Sequence, residues 1–162
     1  MQILTHPNPA LAEHAETIDP HSDASLRPLV RTMAEAMYDN DGVGLAASQL
    51  GIQKRVIVFD IQDELGAICN PVIIERSAET AIDEEGCLSV PGINVPIERA
   101  VSIVCEGVSI DGERVVLEAD DLLARVLQHE IDHLDGVIIL DRLAPEQRKA
   151  AIREYNSRSV AM

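Results

Sequence analysis

The residues best suited to chemistry stand together at His129-Glu130-Ile131-Asp132-His133. Residues four apart lie one turn apart on the same face of a helix, so imidazoles at 129 and 133 can bind one metal ion. A carboxylate beside one of them, Glu130, can then act as general base on water polarised by that ion. Leu122, Val126, His129 and His133 follow one helical row, which predicts that the histidines face the interior, where an ion is shielded. The plainer alternative is a solvent-facing helix with scattered histidines, since a bare HExxH string arises by chance. The apolar residues on the ligand face argue against it, because a solvated helix has no use for them.

A third soft ligand is available in Glu85-Gly86-Cys87-Leu88-Ser89-Val90-Pro91-Gly92. Two imidazoles and the thiolate of Cys87 leave one coordination position open, as a catalytic site requires. A free cysteine is more often a small buried hydrophobe. Cys69 and Cys105 lie within apolar runs and fit that description, whereas Cys87 follows two acids and a glycine. A second segment, Gly42-Val43-Gly44-Leu45-Ala46-Ala47-Ser48-Gln49, combines small residues that allow close backbone approach with an amide, Gln49, that can donate to a developing oxyanion. It has no lysine after its glycines and follows a helix, which argues against a phosphate loop. A simple helix stop at Gly42 would also explain it.

These residues need elements to hold them. Apolar residues at Leu26, Leu29, Val30, Met33 and Met37 predict a helix over 25–38, started near Ser22 or Asp23 and stopped by Asn40-Asp41-Gly42. Strand patterns cover 55–61 and 68–75, the latter broken at Pro71. Runs at 100–110 and 113–119 flank Asp111-Gly112, a hairpin signal. Helical spacing returns over 121–134, with Asp120 or Asp121 as cap and Asp135-Gly136 as stop. A last helix is expected from Pro145, suited to a first helical position, to about Asn156. Residues 1–22 read as irregular. Strands grouped together rather than alternating with helices define an α+β class with a largely antiparallel sheet.

Composition narrows the function. The chain has 162 residues, a length expected to form one domain over 1–162. Apolar residues are 46% but aromatics only 2%, so the core must be aliphatic. A net charge of −15 argues against reading DNA or RNA through phosphates over the general surface. No apolar run approaches the ~20 residues of a membrane helix, and the first residues lack the basic-then-apolar pattern of a signal peptide. Three cysteines without paired spacing fit a reducing cytoplasm, where thiols are free, metal-bound or catalytic.

Taken together, GVGLAASQ (42–49), EGCLSVPG (85–92) and QHEIDHLDG (128–136) resemble, in order and separation, the three signature motifs of peptide deformylases. The resemblance runs from ILTHPNPAL at 3–11 to LDRL at 140–143. It implies mixed, mainly antiparallel sheets around a central HExxH helix, with an N-terminal and a C-terminal helix. It implies a metal-dependent hydrolase that removes the N-formyl group from the first methionine of new polypeptides. Cys87, His129 and His133 would be ligands and Glu130 the acid/base. Gln49 and the Leu88 backbone N–H would form an oxyanion site. The ion implied is Fe²⁺, with Zn²⁺, Ni²⁺ or Co²⁺ able to replace it. The substrate side chain is expected among Val43, Gly44, Leu122 and Val126 and the His129 ring, with the Arg125 stem covering the rim. Asp132 is expected to play a structural role. Asn94 stands where some members carry an arginine that holds the peptide backbone, and one residue near Asp83 is extra. Part of the family's C-terminal tail docks on the ribosome.

Two other readings compete. A metalloprotease shares HExxH but usually has His or Glu as third ligand, which Cys87 argues against. A non-enzymatic relative kept for partner binding would have lost Glu130 or a ligand, and all are present.

Overall fold

The computed structural model describes the backbone of residues 1–161 and the side chains of residues 1–158. Helix α1 (Leu26–Asp39) buries Leu26, Leu29, Val30, Met33 and Met37 along the expected row. Asp23 steadies its start by accepting from the Ser25 N–H at 3.0 Å, and Asn40 closes its end by donating to the Ala36 carbonyl at 2.8 Å. There follow β1 (Gly44–Ala46), β2 (Val56–Asp60), β3 (Leu65–Arg76), β4 (Thr80–Cys87), β5 (Val90–Ala100), β6 (Ser102–Val108) and β7 (Arg114–Asp120). Helices α2 (Asp121–Leu134) and α3 (Pro145–Ala161) complete the order. No helix among the described residues is long and apolar enough to cross a membrane.

Five strands form one sheet in the order β1-β2-β3-β6-β7, and β4 and β5 form a two-stranded sheet. Every strand pairing is antiparallel. The short apolar run of β2 has a clear cause. Ile57 packs toward α2, while Val56 and Val58 pack toward α1, so both faces are covered and no polar residue is tolerated. On α2, Ala124, Leu127, Ile131 and Leu134 seat the helix on the five-stranded sheet. The adjoining row of Val126, His129, Glu130 and His133 is also buried, so α2 is enclosed on two sides. A third cluster joins β5 to α3 through Ile93, Val95, Ile97, Ala151 and Tyr155.

Several sequence expectations are refined. β3 does not stop at Pro71; it runs through, with a register shift between Cys69 and Val72 that absorbs the missing N–H donor. Asn70 takes a φ of 51° there, and its side chain pairs with both backbone groups of Ile18. Neither Asp120 nor Asp121 caps α2 through its side chain. Asp120 makes no capping bond, and Asp121, at φ 51°, donates its N–H to Val101 O at 2.9 Å. α3 continues to Ala161, past the expected end at Asn156. The residues before α1 include a short 3-10 turn, Pro9–Ala12.

Leu127 is fully buried at the seam between α2 and the sheet. Leu127→Ala is expected to lower the unfolding free energy by about 2–5 kcal/mol, read by urea denaturation. A loss below about 1 kcal/mol would show that this seam does not carry the core.

Candidate metal centre

α2 brings His129 and His133 to one place, and the end of β4 delivers Cys87 to them. One donor atom from each residue lies within 4.8 Å of the other two. Cys87 Sγ is 3.3 Å from His133 Nε2, a separation suited to two ligands of one tetrahedral ion. The Glu85 carboxylate accepts from His129 Nδ1 at 2.9 Å, which fixes the ring and leaves Nε2 for a metal. A thiolate with two imidazoles is a donor set for borderline first-row ions.

The electrostatics fit a bound cation. Burial, with the charges of His129 and Arg99, holds the His133 pKa well below the usual imidazole value, so it is neutral as a ligand must be. At His129 burial acts in the same direction, but Glu130, Cys87 and Glu85 outweigh it and favour positive charge at that spot. Burial raises the Glu130 carboxyl to about 7 against the opposing charges of His129 and Arg99. Glu130 Oε1 is buried with no protein partner, and Oε2 lies 4.0 Å from His129 Nε2. Gly44 on β1 makes this placement possible: a Cβ there would meet Glu130 Oε2 at 2.7 Å and Val126 Cγ1 at 2.9 Å.

Behind the donors lies a charge network that the sequence motifs did not identify. Arg99 on β5 grips Glu85 with two bonds of 2.9 Å and reaches Asp132 Oδ2 at 2.6 Å. Arg142 closes on Asp132 with bonds of 3.0 and 2.6 Å. Arg125 lines the cavity, and its guanidinium bonds Glu85 Oε2 at 2.5 Å and the carbonyls of Ile97 and Ala81. Burial pushes the Glu85 carboxyl up, but hydrogen bonds from His129 and Arg99 and the charge of Arg99 hold it at about 2. One signal could have found Arg99: the alternation along β5 that buries Ile93, Val95 and Ile97 also turns Arg99 inward.

The donors open into a cavity of about 580 Å³. Cys87, His129 and Glu130 line it, together with Val43, Gly44 and Leu122. Val43 and Leu122 stand half-exposed at the mouth, while Val126 lies deeper. Gln49 also lines the cavity and is buried in a 3-10 turn, Ala47–Leu50. Its Oε1 accepts from the Ala46 N–H at 3.0 Å, and its Nε2 donates to Ser89 Oγ at 3.0 Å and lies 3.9 Å from Cys87 Sγ. Leu88 sits at the tip of the β4–β5 hairpin and faces the same space. His133 is enclosed behind the donors, and Cys69 and Cys105 belong to the core clusters.

An HExxH helix met by a thiolate at the foot of an open cavity, with a buried carboxyl beside the donors, is the arrangement of a metal-dependent hydrolase. Comparison with known proteins narrows the class. The model of the polypeptide deformylase family matches residues 1–149. The peptide deformylase of Acidothermus cellulolyticus is 47% identical over 146 residues, covering 90% of this chain and 80% of that protein. The crystal structure of a peptide deformylase from Legionella pneumophila superposes with a TM-score of 0.92 at 36% identity, covering 99% of this chain and 95% of that one. The Ehrlichia chaffeensis peptide deformylase, solved in complex with actinonin, gives 0.90 at 36% identity, over 98% of this chain and 96% of that one. The chain belongs to the polypeptide deformylase family, metal-dependent hydrolases that remove the N-formyl group from nascent polypeptides.

Glu85→Gln keeps the shape of the side chain but removes the charge that orders His129. Metal affinity, measured by competition with a chromophoric chelator, is expected to fall by roughly 10–100-fold, as when a partner of a ligating histidine is lost. Unchanged affinity would show that Glu85 does not orient the ligand.

Proposed function

We propose that Cys87, His129 and His133 hold one divalent transition ion, with Fe²⁺ resident and Zn²⁺, Ni²⁺ or Co²⁺ able to replace it. The observation that carries this reading is the convergence of three donor atoms within 4.8 Å beside the buried Glu130. The donor set alone accepts any of these ions; the choice of Fe²⁺ follows the family resemblance. Bound there, the ion supplies Lewis acidity and lowers the pKa of water.

The chain's own residues do the rest. The substrate is an N-formylmethionyl nascent peptide, whose methionine side chain enters the apolar wall of Val43, Gly44, Leu122 and Val126. Glu130 takes the proton from the attacking water and passes it to the leaving amine, so that water and a formamide become formate and a free amine. A carboxyl near neutrality suits both halves of that transfer. The amide of Gln49 has two N–H donors; Ser89 engages one, and the other, in only a long contact of 3.9 Å with Cys87 Sγ, can turn with the Leu88 N–H to negative charge on the carbonyl oxygen. The formyl carbon bears only hydrogen, so a close-walled site admits formyl and rejects acetyl. The partner we propose beyond the peptide is the ribosome near its exit tunnel, in the cytoplasm. α3 carries Arg148, Lys149, Arg153 and Arg158 against Glu146 and Glu154, a local excess of positive charge on a chain of −15.

Formate release from formyl-Met peptides by metal-quantified variants tests these roles. Glu130→Gln is expected to keep its metal and lose at least about 10²–10⁴-fold in kcat. Gln49→Leu should keep its metal and lose on the order of 10²–10³-fold, mostly in kcat, because its contact strengthens only as the tetrahedral state forms. A Glu130→Gln protein with near-parental kcat would refute the mechanism.

A further inference from the structure

We infer that Arg158 is a substrate-binding residue that holds the peptide beyond its formylated methionine, an inference that rests on the deformylase reading above. One wall of the cavity is the start of β5, where Pro91, Gly92, Ile93 and Asn94 line it. α3 packs on β5 through Ala151 and Tyr155. Arg158 lies one turn further along that stripe, at i+3 from Tyr155, so the contact face carries a guanidinium beyond Tyr155. A Cβ added to Gly92 would meet Arg158 Cδ at 3.4 Å and Nη1 at 3.7 Å. Gly92 has a φ of +83° and no side chain, so Arg158 rests against the backbone of the cavity wall, just outside the residues that line the cavity.

The surrounding charges leave this role to Arg158. The cation nearer the metal centre, Arg125, is already committed to Glu85 and to two backbone carbonyls. Asp41 and Glu84 on the lining are anionic, and Asn94 is neutral. Arg158 is half-exposed and, among the described residues, bonded loosely, at 3.2–3.3 Å, to the equally exposed Glu154. Exposed pairs of this kind contribute little, so a peptide carboxylate or carbonyl can take over the guanidinium. Guanidinium engages a carboxylate through two parallel bonds, which suits the chain end of a short peptide or an acidic side chain downstream of the methionine. Arg158 also lies outside the residues 1–149 that match the family model.

The test uses the full-length, metal-quantified enzyme and two substrates, formyl-Met-Ala-Ala with a free C-terminal carboxylate and the same peptide amidated. Arg158→Ala is expected to raise KM for the carboxylate peptide roughly two- to fivefold with kcat unchanged, the effect of losing one exposed charged contact. Arg158→Glu should raise it further, and Arg158→Lys should recover part of the loss. The amidated peptide should respond less, and the difference should collapse in 1 M salt. The thermal midpoint should not move. An unchanged KM for the carboxylate peptide in both Arg158→Ala and Arg158→Glu overturns the inference. So does an equal, salt-insensitive rise for both peptides with a lowered midpoint, which would mean a packing role. If the parent enzyme releases formate from neither peptide, the deformylase reading itself fails, and the two failures are therefore distinct.

Discussion

Glu85 sits on β4 with almost no exposure, and three side chains from two other elements meet on its two oxygens. His129 and Arg125 come from α2, and Arg99 from β5. The three candidate donors come from two separate parts of the chain, a helix seated on the five-stranded sheet and a hairpin seated on α3. Without a tie between them, a thiolate and two imidazoles would have no reason to arrive at one point. A buried ionic cluster adds little net stability over apolar packing of the same volume, because desolvation offsets attraction. Its value here is positional. Removing one partner leaves buried charges unpaired, so the arrangement has few alternatives of comparable energy.

The rest of the site follows from that tie. With His129 fixed through Nδ1, its Nε2 points to the thiolate side of the cavity, and the next residue on the helix, Glu130, is pressed between α2 and β1. Close packing against Gly44 keeps the Glu130 carboxyl away from solvent, and burial lifts it to about 7. Glu85 and Glu130 are therefore two buried carboxylates with opposite shifts. Glu85 is held low by its donors, and Glu130 is pushed up by burial that no donor offsets. One is a fixed anion that orders a ligand and the other can carry a proton. This division needs no further machinery than the number of N–H groups aimed at each.

What could be read from the sequence was what repeats or clusters locally. α2 spans the 14 residues that its periodicity marks, because its apolar row and its His row both follow helical spacing. The β6–β7 hairpin announces itself through Asp111-Gly112. β4 and β5 were legible only as a bounded segment around Cys87. β4 is exposed along most of its length, so it shows no alternation of burial, and Pro91, Gly92 and Pro96 disguise β5 as a loop although Ile93, Val95, Ile97 and Arg99 alternate inward along it. Those prolines are tolerated because β5 pairs on one side only. The Glu85–Arg99 pair joins residues 14 apart in sequence through strand register, which no local pattern encodes. The bond from Arg125 to Glu85 has the same origin, since the two lie 40 residues apart.

The chemistry of the site depends on which thiol meets the two imidazoles. The decisive measurement is elemental analysis of protein purified without oxygen or chelator, for the parent chain and for Cys87→Ala and Cys69→Ala. The predicted result is one iron per chain in the parent and in Cys69→Ala, with the metal lost from Cys87→Ala while its fold is kept by circular dichroism. Absence of stoichiometric metal from the parent, or full retention of metal by Cys87→Ala, would contradict it.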